Sequence, residues 1–559
     1  MTNPCNIAAA LPRMAAERPD AIAIRCPSGT GTDGRVEYGN ALSYRELEQR
    51  SDRIAAALAS AGIGRGIRTA LMVRPSPELF LLMFALFKAG AVPVLIDPGI
   101  DRRALKACLD EASPEAFVGI PVAHAARVLL GWARRSVRIN VTVGRRWFWG
   151  GHTLSALLDR SRDASFAIAD TQADEVAAIL FTSGSTGIPK GVVYRHRHFL
   201  AQVEMLRSAF GIEPGEVNLP TFPPFALFDP ALGVTSVIPD MDPTRPAQAD
   251  PRKLIDAIER FGVSQMFGSP ALLETLSRYG DEQRIKLGTL RRVLSAGAPV
   301  PPQVVERMQA MLPADAQIWT PYGATECLPV AIIEGRELRA TRAATEIGAG
   351  TCVGRPVPPN DVRIIAIDDA AIAEWTGVRV AAAGVVGEIT VAGPSTTDEY
   401  FNRPQATALA KILERLPDAR QRVVHRMGDL GYFDAEGRLW FCGRKTQRVE
   451  CRDGPLYTEQ LEPVFNTHPE VKRTALVGVG APGAQSPVLC VELEASVPQS
   501  SRQRIEAELL NLGARFPHTA RVQCLHFHPR FPVDIRHNAK IGREKLAAWA
   551  AQRMGKRGA

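Results

Sequence analysis

The chain has 559 residues and a formal net charge of +8, too long for one hydrophobic core and too weakly basic for a nucleic-acid footprint. The arginine pairs Arg102–Arg103, Arg134–Arg135 and Arg291–Arg292 stand scattered and read as solvated faces. Nine cysteines without a C-x-x-C pair exclude a zinc ribbon or disulfide framework and predict reduced thiols in a cytoplasm.

In chain order, the N-terminus shows no charged stretch followed by an apolar one, so no secretion signal is expected. Leu42–Leu47 opens a predicted helix that runs through Leu58 and stops at Gly62. Thr69–Val73 predicts a buried strand, Leu79–Phe87 a buried helix, and Val92–Ile96 the next strand. The Leu79–Phe87 run spans nine residues, about half a membrane span, so no crossing is expected. Strand, helix and strand at this spacing predict a parallel α/β sheet. Trp147–Phe148–Trp149 reads as a packed aromatic strand.

The apolar run Val176–Phe181 leads into Thr182–Ser183–Gly184–Ser185–Thr186–Gly187–Ile188–Pro189–Lys190–Gly191, and Val192–Val193–Tyr194 follows. Glycines let a loop turn its N–H groups toward an anion, and hydroxyls and an ammonium add donors. That is the chemistry of a polyphosphate cradle. A P-loop is excluded, because Pro189 stands five residues after Gly184 and Lys190 precedes Gly191 instead of a hydroxyl. A plain Ser/Gly turn between strands is the bland alternative.

Further clusters follow. Ser295–Ala296–Gly297–Ala298–Pro299 ends the strand-like Arg292–Leu294, the place where α/β folds bind ligands. Pro321–Tyr322–Gly323–Ala324–Thr325–Glu326 joins a flat aromatic to a hydroxyl and a carboxylate. Gly387–Val391 reads as a turn into a strand, and His425 to Tyr432 and Leu439 to Arg444 come next. Asn538–Ala539–Lys540–Ile541–Gly542 stands near the end. Singly, each has an ordinary structural reading: a core tyrosine, a turn aspartate, a surface lysine.

In this order the pieces resemble the adenylate-forming superfamily of acyl-CoA synthetases, luciferases and peptide-synthetase adenylation domains, across essentially the whole chain. Phe222–Pro223–Pro224–Phe225–Ala226–Leu227–Phe228–Asp229–Pro230–Ala231–Leu232–Gly233, with Arg426–Asp429 in support, is most similar to olefin β-lactone synthetases of bacterial long-chain olefin biosynthesis. The resemblance implies a large N-terminal α/β domain over 1–444 and a small mobile C-terminal α+β domain over 445–559. It implies ATP and Mg²⁺ as cofactors.

Residue by residue, it implies that Thr182, Ser183, Ser185, Thr186 and Lys190 hold the β- and γ-phosphates. Gly297, Ala298 and Pro299 would line the adenine, with Tyr322 stacked on it. Thr325 would meet the α-phosphate, and Glu326, with Thr186, the metal. Asp429 would accept the ribose hydroxyls, with Arg444 near ribose and phosphate. Lys540 would bridge carboxylate and α-phosphate during adenylation, neutralising charge between two anions that must meet. Phe222, Phe225, Leu227 and Phe228 would line the acyl site; read as residues alone, they are equally ordinary core.

Two departures bear on the second half-reaction. Thr446 occupies a hinge position where relatives carry Asp or Lys, and Glu450 and Asp453 fall where thioester-forming relatives place Lys and Gly. A carboxylate there blocks pantetheine and repels CoA phosphates. The expected reaction is therefore adenylation of a long-chain 2-alkyl-3-hydroxy fatty acid, followed by attack of its own hydroxyl to give a β-lactone. An acyl-CoA or acyl-carrier ligase is the alternative. An idle nucleotide-binding scaffold has no need of Lys190, Glu326, Asp429 and Lys540 together. Assembly with other olefin-pathway enzymes is implied by the resemblance alone, and the polar stretch 334–345 has no assigned role.

Overall fold

The computed structural model describes residues 5–97, 99–161, 165–182, 189–533 and 541–557; the side chains of Arg102, Thr182, Lys556 and Arg557 fall outside the description. Two large sheets dominate the fold, with helices packed against them. The first has seven strands, in the spatial order Lys190–Arg195, Val176–Thr182, Val92–Ile96, Arg68–Met72, Ala116–Gly119, Ile139–Thr142 and His152–Thr153. All neighbours are parallel except the first pair, in which Thr182 stands opposite Lys190. The predicted parallel α/β sheet is this one.

Its helices form where the sequence signals converge. The helix Tyr44–Ser60 begins at Ser43, whose hydroxyl accepts from the Glu46 N–H while Glu46 reaches back to the Ser43 N–H. That box moves the start past Leu42, which lies in the strand Asn40–Ser43. The helix Pro77–Lys88 is buried along most of its length and ends in a fully buried lysine. Lys88 Nζ donates to Glu48 at 2.7 Å and Asp52 at 2.6 Å, two carboxylates one turn apart on Tyr44–Ser60. A buried ammonium persists only when paired in this way.

The second sheet has fourteen strands. Thr235–Val237, Val217–Pro220, Gln265–Phe267, Arg292–Leu294 and Gln317–Ala324 run parallel. Cys327–Glu334 then turns back, and Thr351–Pro356, Leu439–Arg444, Gln421–Phe433 and Gly387–Ala392 continue antiparallel. The stretch 334–345 becomes two short helices, Gly335–Ala340 and Arg342–Glu346, against this sheet. Beyond Arg444 come the hairpin Val449–Cys451/Gly454–Leu456 and a sheet of Val471–Val479, Ser486–Leu493 and Cys524–Phe527. These share a core of Val449, Leu461, Phe465, Leu476, Leu489 and Ile505.

One expectation is corrected. Trp147–Phe148–Trp149 is irregular backbone, not a packed strand. Trp149 alone is buried, donating to Thr142 at 2.9 Å, while Trp147 and Phe148 are exposed. Among the described residues no helix is long and apolar enough to cross a membrane.

Candidate active site

A cavity of about 2080 Å³ opens between the two sheets. Its polar side is built by one hairpin. Gln317–Ala324 and Cys327–Glu334 pair so that Ala324 faces Cys327, which leaves Thr325 and Glu326 alone at the turn. Backbone bonds fix that turn from both sides. Tyr194 donates its hydroxyl to the Thr325 carbonyl at 2.6 Å, and Thr397 donates its N–H at 2.9 Å and its hydroxyl at 3.0 Å to the Glu326 carbonyl. The Glu326 carboxylate is thereby aimed into the cavity, where Tyr400 donates to it at 2.5 Å. Lys190 holds its ammonium 4.9 Å above the Tyr400 ring.

Tyr322 lies two residues before the turn's edge, on the same strand, and also lines the cavity. Its hydroxyl donates to Asp429 at 2.7 Å, and burial beside this carboxylate raises the phenol's pKa far above the ordinary value. Asp429 and Arg444 are cross-strand partners, with Arg444 Nη1 2.9 Å from Asp429 Oδ1. Burial pushes the Asp429 carboxyl up, against the pull of Arg444 and Tyr322. Asp429 is buried beneath these two groups, whereas Arg444 itself faces the cavity.

The apolar wall is a short 3₁₀ segment, Pro223–Leu227, begun by consecutive prolines that preset its φ angles. Phe222, Phe225, Leu227 and Phe228 all line the cavity. Phe225 packs edge-on against Phe222 at 5.3 Å and Phe267 at 4.4 Å between ring centroids. Gly297 lines the cavity with φ +96°, a left-handed conformation that favours glycine; Ala298 and Pro299 stay off the cavity wall.

Of the predicted site, Ser183, Ser185, Thr186 and Lys540 lie outside the described residues, as does the side chain of Thr182. Lys190, Gly297, Tyr322, Thr325, Glu326, Arg444 and the four apolar residues meet around one cavity.

Sequence reasoning missed Tyr400, Lys411 and His425. Lys411 Nζ donates to the Thr397 carbonyl and, at 3.2 Å, to the Thr397 hydroxyl; burial lowers its pKa to about 8. It thus braces the residue that holds the Glu326 backbone. His425 lines the cavity with Nδ1 3.1 Å from the Ala410 carbonyl, and burial, with Lys411 nearby, keeps it neutral well below its usual range. Tyr400 and Lys411 sit in no distinctive local pattern, whereas His425 opens the cluster His425–Tyr432, in which it was given no role.

A carboxylate and a hydroxyl at one turn, a lysine above a tyrosine ring and an aromatic beside a buried acid form an oxygen-rich, partly cationic rim on an apolar chamber. Such a rim suits phosphates and a hard cation on one side and a hydrocarbon on the other.

Comparison with known proteins agrees. The AMP-binding enzyme family matches residues 11–401. Olefin beta-lactone synthetase of Xanthomonas campestris pv. campestris is 69% identical over 99% of this chain and 98% of its own length. The protein of that name from Stenotrophomonas maltophilia is 67% identical over 100% of both chains. The amide bond synthetase McbA from Marinactinospora thermotolerans, 23% identical, superposes with a TM-score of 0.75 over 97% of this chain and 99% of its own, a likeness of fold alone. From its site, its fold and these whole-length similarities, the chain belongs to the AMP-binding enzyme family.

Proposed function

We propose that the protein uses ATP to adenylate a long-chain 2-alkyl-3-hydroxy fatty acid and then closes it to a β-lactone, releasing diphosphate and AMP. The observation that carries this reading is that Phe222, Phe225, Leu227 and Phe228 line the same cavity as the Thr325–Glu326 turn. Whole-length identity to proteins named olefin beta-lactone synthetase supports it.

In the first step a carboxylate oxygen attacks the α-phosphorus and diphosphate leaves. Lys190, Arg444 and Lys540 supply positive charge where anions meet, and Thr325 a hydroxyl to the α-phosphate. Mg²⁺ suits Glu326, whose oxygens are hard donors, with Thr186 as a second ligand; when bound it neutralises phosphate charge. Tyr322 stacks on adenine beside Gly297, and Thr182, Ser183, Ser185 and Thr186 hold the outer phosphates. A ribose diol reaching Asp429 replaces contacts now made by Tyr322 and Arg444.

In the second step the substrate's 3-hydroxyl oxygen attacks the acyl carbonyl, loses its proton and expels AMP. The apolar wall holds the chain so that hydroxyl and carbonyl stay in contact, and intramolecular attack at high effective molarity needs no outside nucleophile. Residues 1–444 would act as the adenylating unit and 445–559, with a core of its own, as the mobile unit carrying Lys540. The cytoplasm is the proposed location, with other olefin-pathway enzymes as partners.

The rival reading is thioester formation with CoA. Glu450 is held by Arg448 at 2.5 Å, so its charge is compensated, and the exposed Asp453 at the hairpin turn is the stronger obstacle. The test supplies ATP, Mg²⁺ and a long-chain 3-hydroxy acid, with and without CoA, and identifies the organic product by mass spectrometry. One AMP per lactone, unaffected by CoA, is expected, and a plain fatty acid should stop at the adenylate. Acyl-CoA formed at a useful rate from that fatty acid would falsify the lactone reading.

A further inference from the structure

Between Glu115 and Asp159 the chain carries no carboxylate and six arginines: Arg127, Arg134, Arg135, Arg138, Arg145 and Arg146. None of the six makes an ion pair among the described residues. The same stretch holds six of the eleven exposed large apolar side chains of the described protein, with Leu129 77% and Phe148 65% exposed. Neither fact follows from the needs of the fold. Arginines elsewhere in the chain are commonly paired, and large apolar groups left in water at this density mark a contact surface.

Structure gathers the two features on the surface around one helix. The helix Pro121–Leu130 buries His124 and leaves Val122 and Leu129, seven residues apart on one helical face, exposed. Trp149 stacks on His124 with ring centroids 5.2 Å apart, and Trp147 and Phe148 pack on Trp149 at 5.5 and 5.1 Å. The aromatic pair is thereby set beside the helix. Arg134, Arg135 and Arg138 follow the helix, and Arg145 and Arg146 precede the aromatics; all but the half-buried Arg127 are exposed.

The same helix borders the cavity. Val122 is 55% exposed and also lines it, together with Ile120, Ala123, Ala126 and Trp132. The chamber's apolar arm therefore reaches the surface at Val122, among the exposed apolar groups.

We propose that this face docks on an anionic phospholipid surface, with Leu129, Trp147 and Phe148 entering the headgroup boundary and the arginines meeting lipid phosphates. Charge complementarity selects this occupant: an anionic phospholipid surface carries one sign of charge, tolerates Trp and Phe at its boundary, and attracts a basic patch that has no carboxylates to repel it. The benefit rests on the long-chain substrate reading, since a hydrocarbon then passes from lipid to cavity without crossing water. The binding itself is measured without turnover.

The experiment sediments the full chain with vesicles of equal parts phosphatidylglycerol and phosphatidylcholine, and with phosphatidylcholine alone, at low and high salt. Binding to the anionic vesicles alone, weakened by salt, is expected. Arg145→Gln with Arg146→Gln should lower the partition by about tenfold or more, at roughly fivefold per arginine. Leu129→Ser with Phe148→Ser should lower it similarly, and both variants should retain AMP formation from a detergent-dispersed 3-hydroxy acid. Equal recovery with neutral vesicles, wild-type binding by both variants, or lost self-association in place of vesicle binding overturns the proposal; the last assigns the face to a protein. A failed lactone assay with intact vesicle binding sinks the substrate reading and leaves this surface standing.

Discussion

Tyr400 and Glu326, 74 positions apart, share a hydrogen bond of 2.5 Å at the centre of the cavity rim. The same tyrosine ring lies under the ammonium of Lys190, so one side chain touches both the acid and the base of the candidate phosphate and metal site. Tyr400→Phe keeps the ring and removes the donor. A hydrogen bond to a charged acceptor contributes about 1.5–3 kcal/mol, so adenylation should slow by roughly tenfold or more. The Mg²⁺ titration should move to higher concentration while thermal stability holds. An unmoved titration midpoint would show that the hydroxyl does not orient Glu326.

Glu326→Gln tests the metal role directly. Its size is unchanged and its charge is gone, so Mg²⁺ demand should rise steeply and adenylation fall. The reading is a Mg²⁺ titration of diphosphate release. Wild-type demand in this variant would remove Glu326 from the metal site.

Lys540→Ala should cut AMP formation from the acid by about 10²-fold or more, the scale of one lost electrostatic contact in a transition state. ATP affinity should scarcely change, because the proposed cradle is formed by other residues. Product formed at the wild-type rate would refute the assignment.

Asp229 carries a pH prediction. Its carboxylate accepts from Asn218 at 2.8 and 3.1 Å and from Ser236 at 2.5 Å, yet burial outweighs these bonds and lifts its pKa to about 7 from 3.8. The folded state therefore keeps this proton between pH about 4 and about 7, while the unfolded state has released it. Stability from this group is fully present below the unfolded value and is lost as pH rises through about 7, on the order of 1 kcal/mol per unit. Asp229→Asn should flatten that part of the curve. Calorimetric Tm values at pH 5, 6 and 7 decide it: parallel curves for both proteins would assign the dependence to other groups.

How far the sequence reached is clearest at particular residues. Val92–Ile96 and Arg292–Leu294 were legible to the residue, because each is a short, largely apolar run that small or turn-forming residues end. The start of Tyr44–Ser60 was not, because Ser43 and Glu46 close a box that periodicity alone ignores. Thr325 and Glu326 were legible through their motif. Tyr400, Lys411 and His425 were not: strand pairing and loop closure bring Tyr400 and His425 to the cavity and Lys411 to Thr397. The Trp147–Trp149 cluster failed for a related reason, since hydrophobicity predicts burial and cannot say which of three rings the available partner will cover.

The hairpin that carries Tyr322, Thr325 and Glu326 is one continuous piece of sheet, whereas Phe222 to Phe228 span a separate 3₁₀ segment and its two caps. The spacing between the Tyr322 ring and the Glu326 carboxylate is accordingly ruled by ladder bonds in which none of Phe222, Phe225, Leu227 and Phe228 takes part. Substitutions along Phe222–Phe228 can therefore re-cut the hydrocarbon chamber while the reactive geometry is inherited intact. For laboratory evolution, diversity belongs on that segment, and the hairpin is best left untouched.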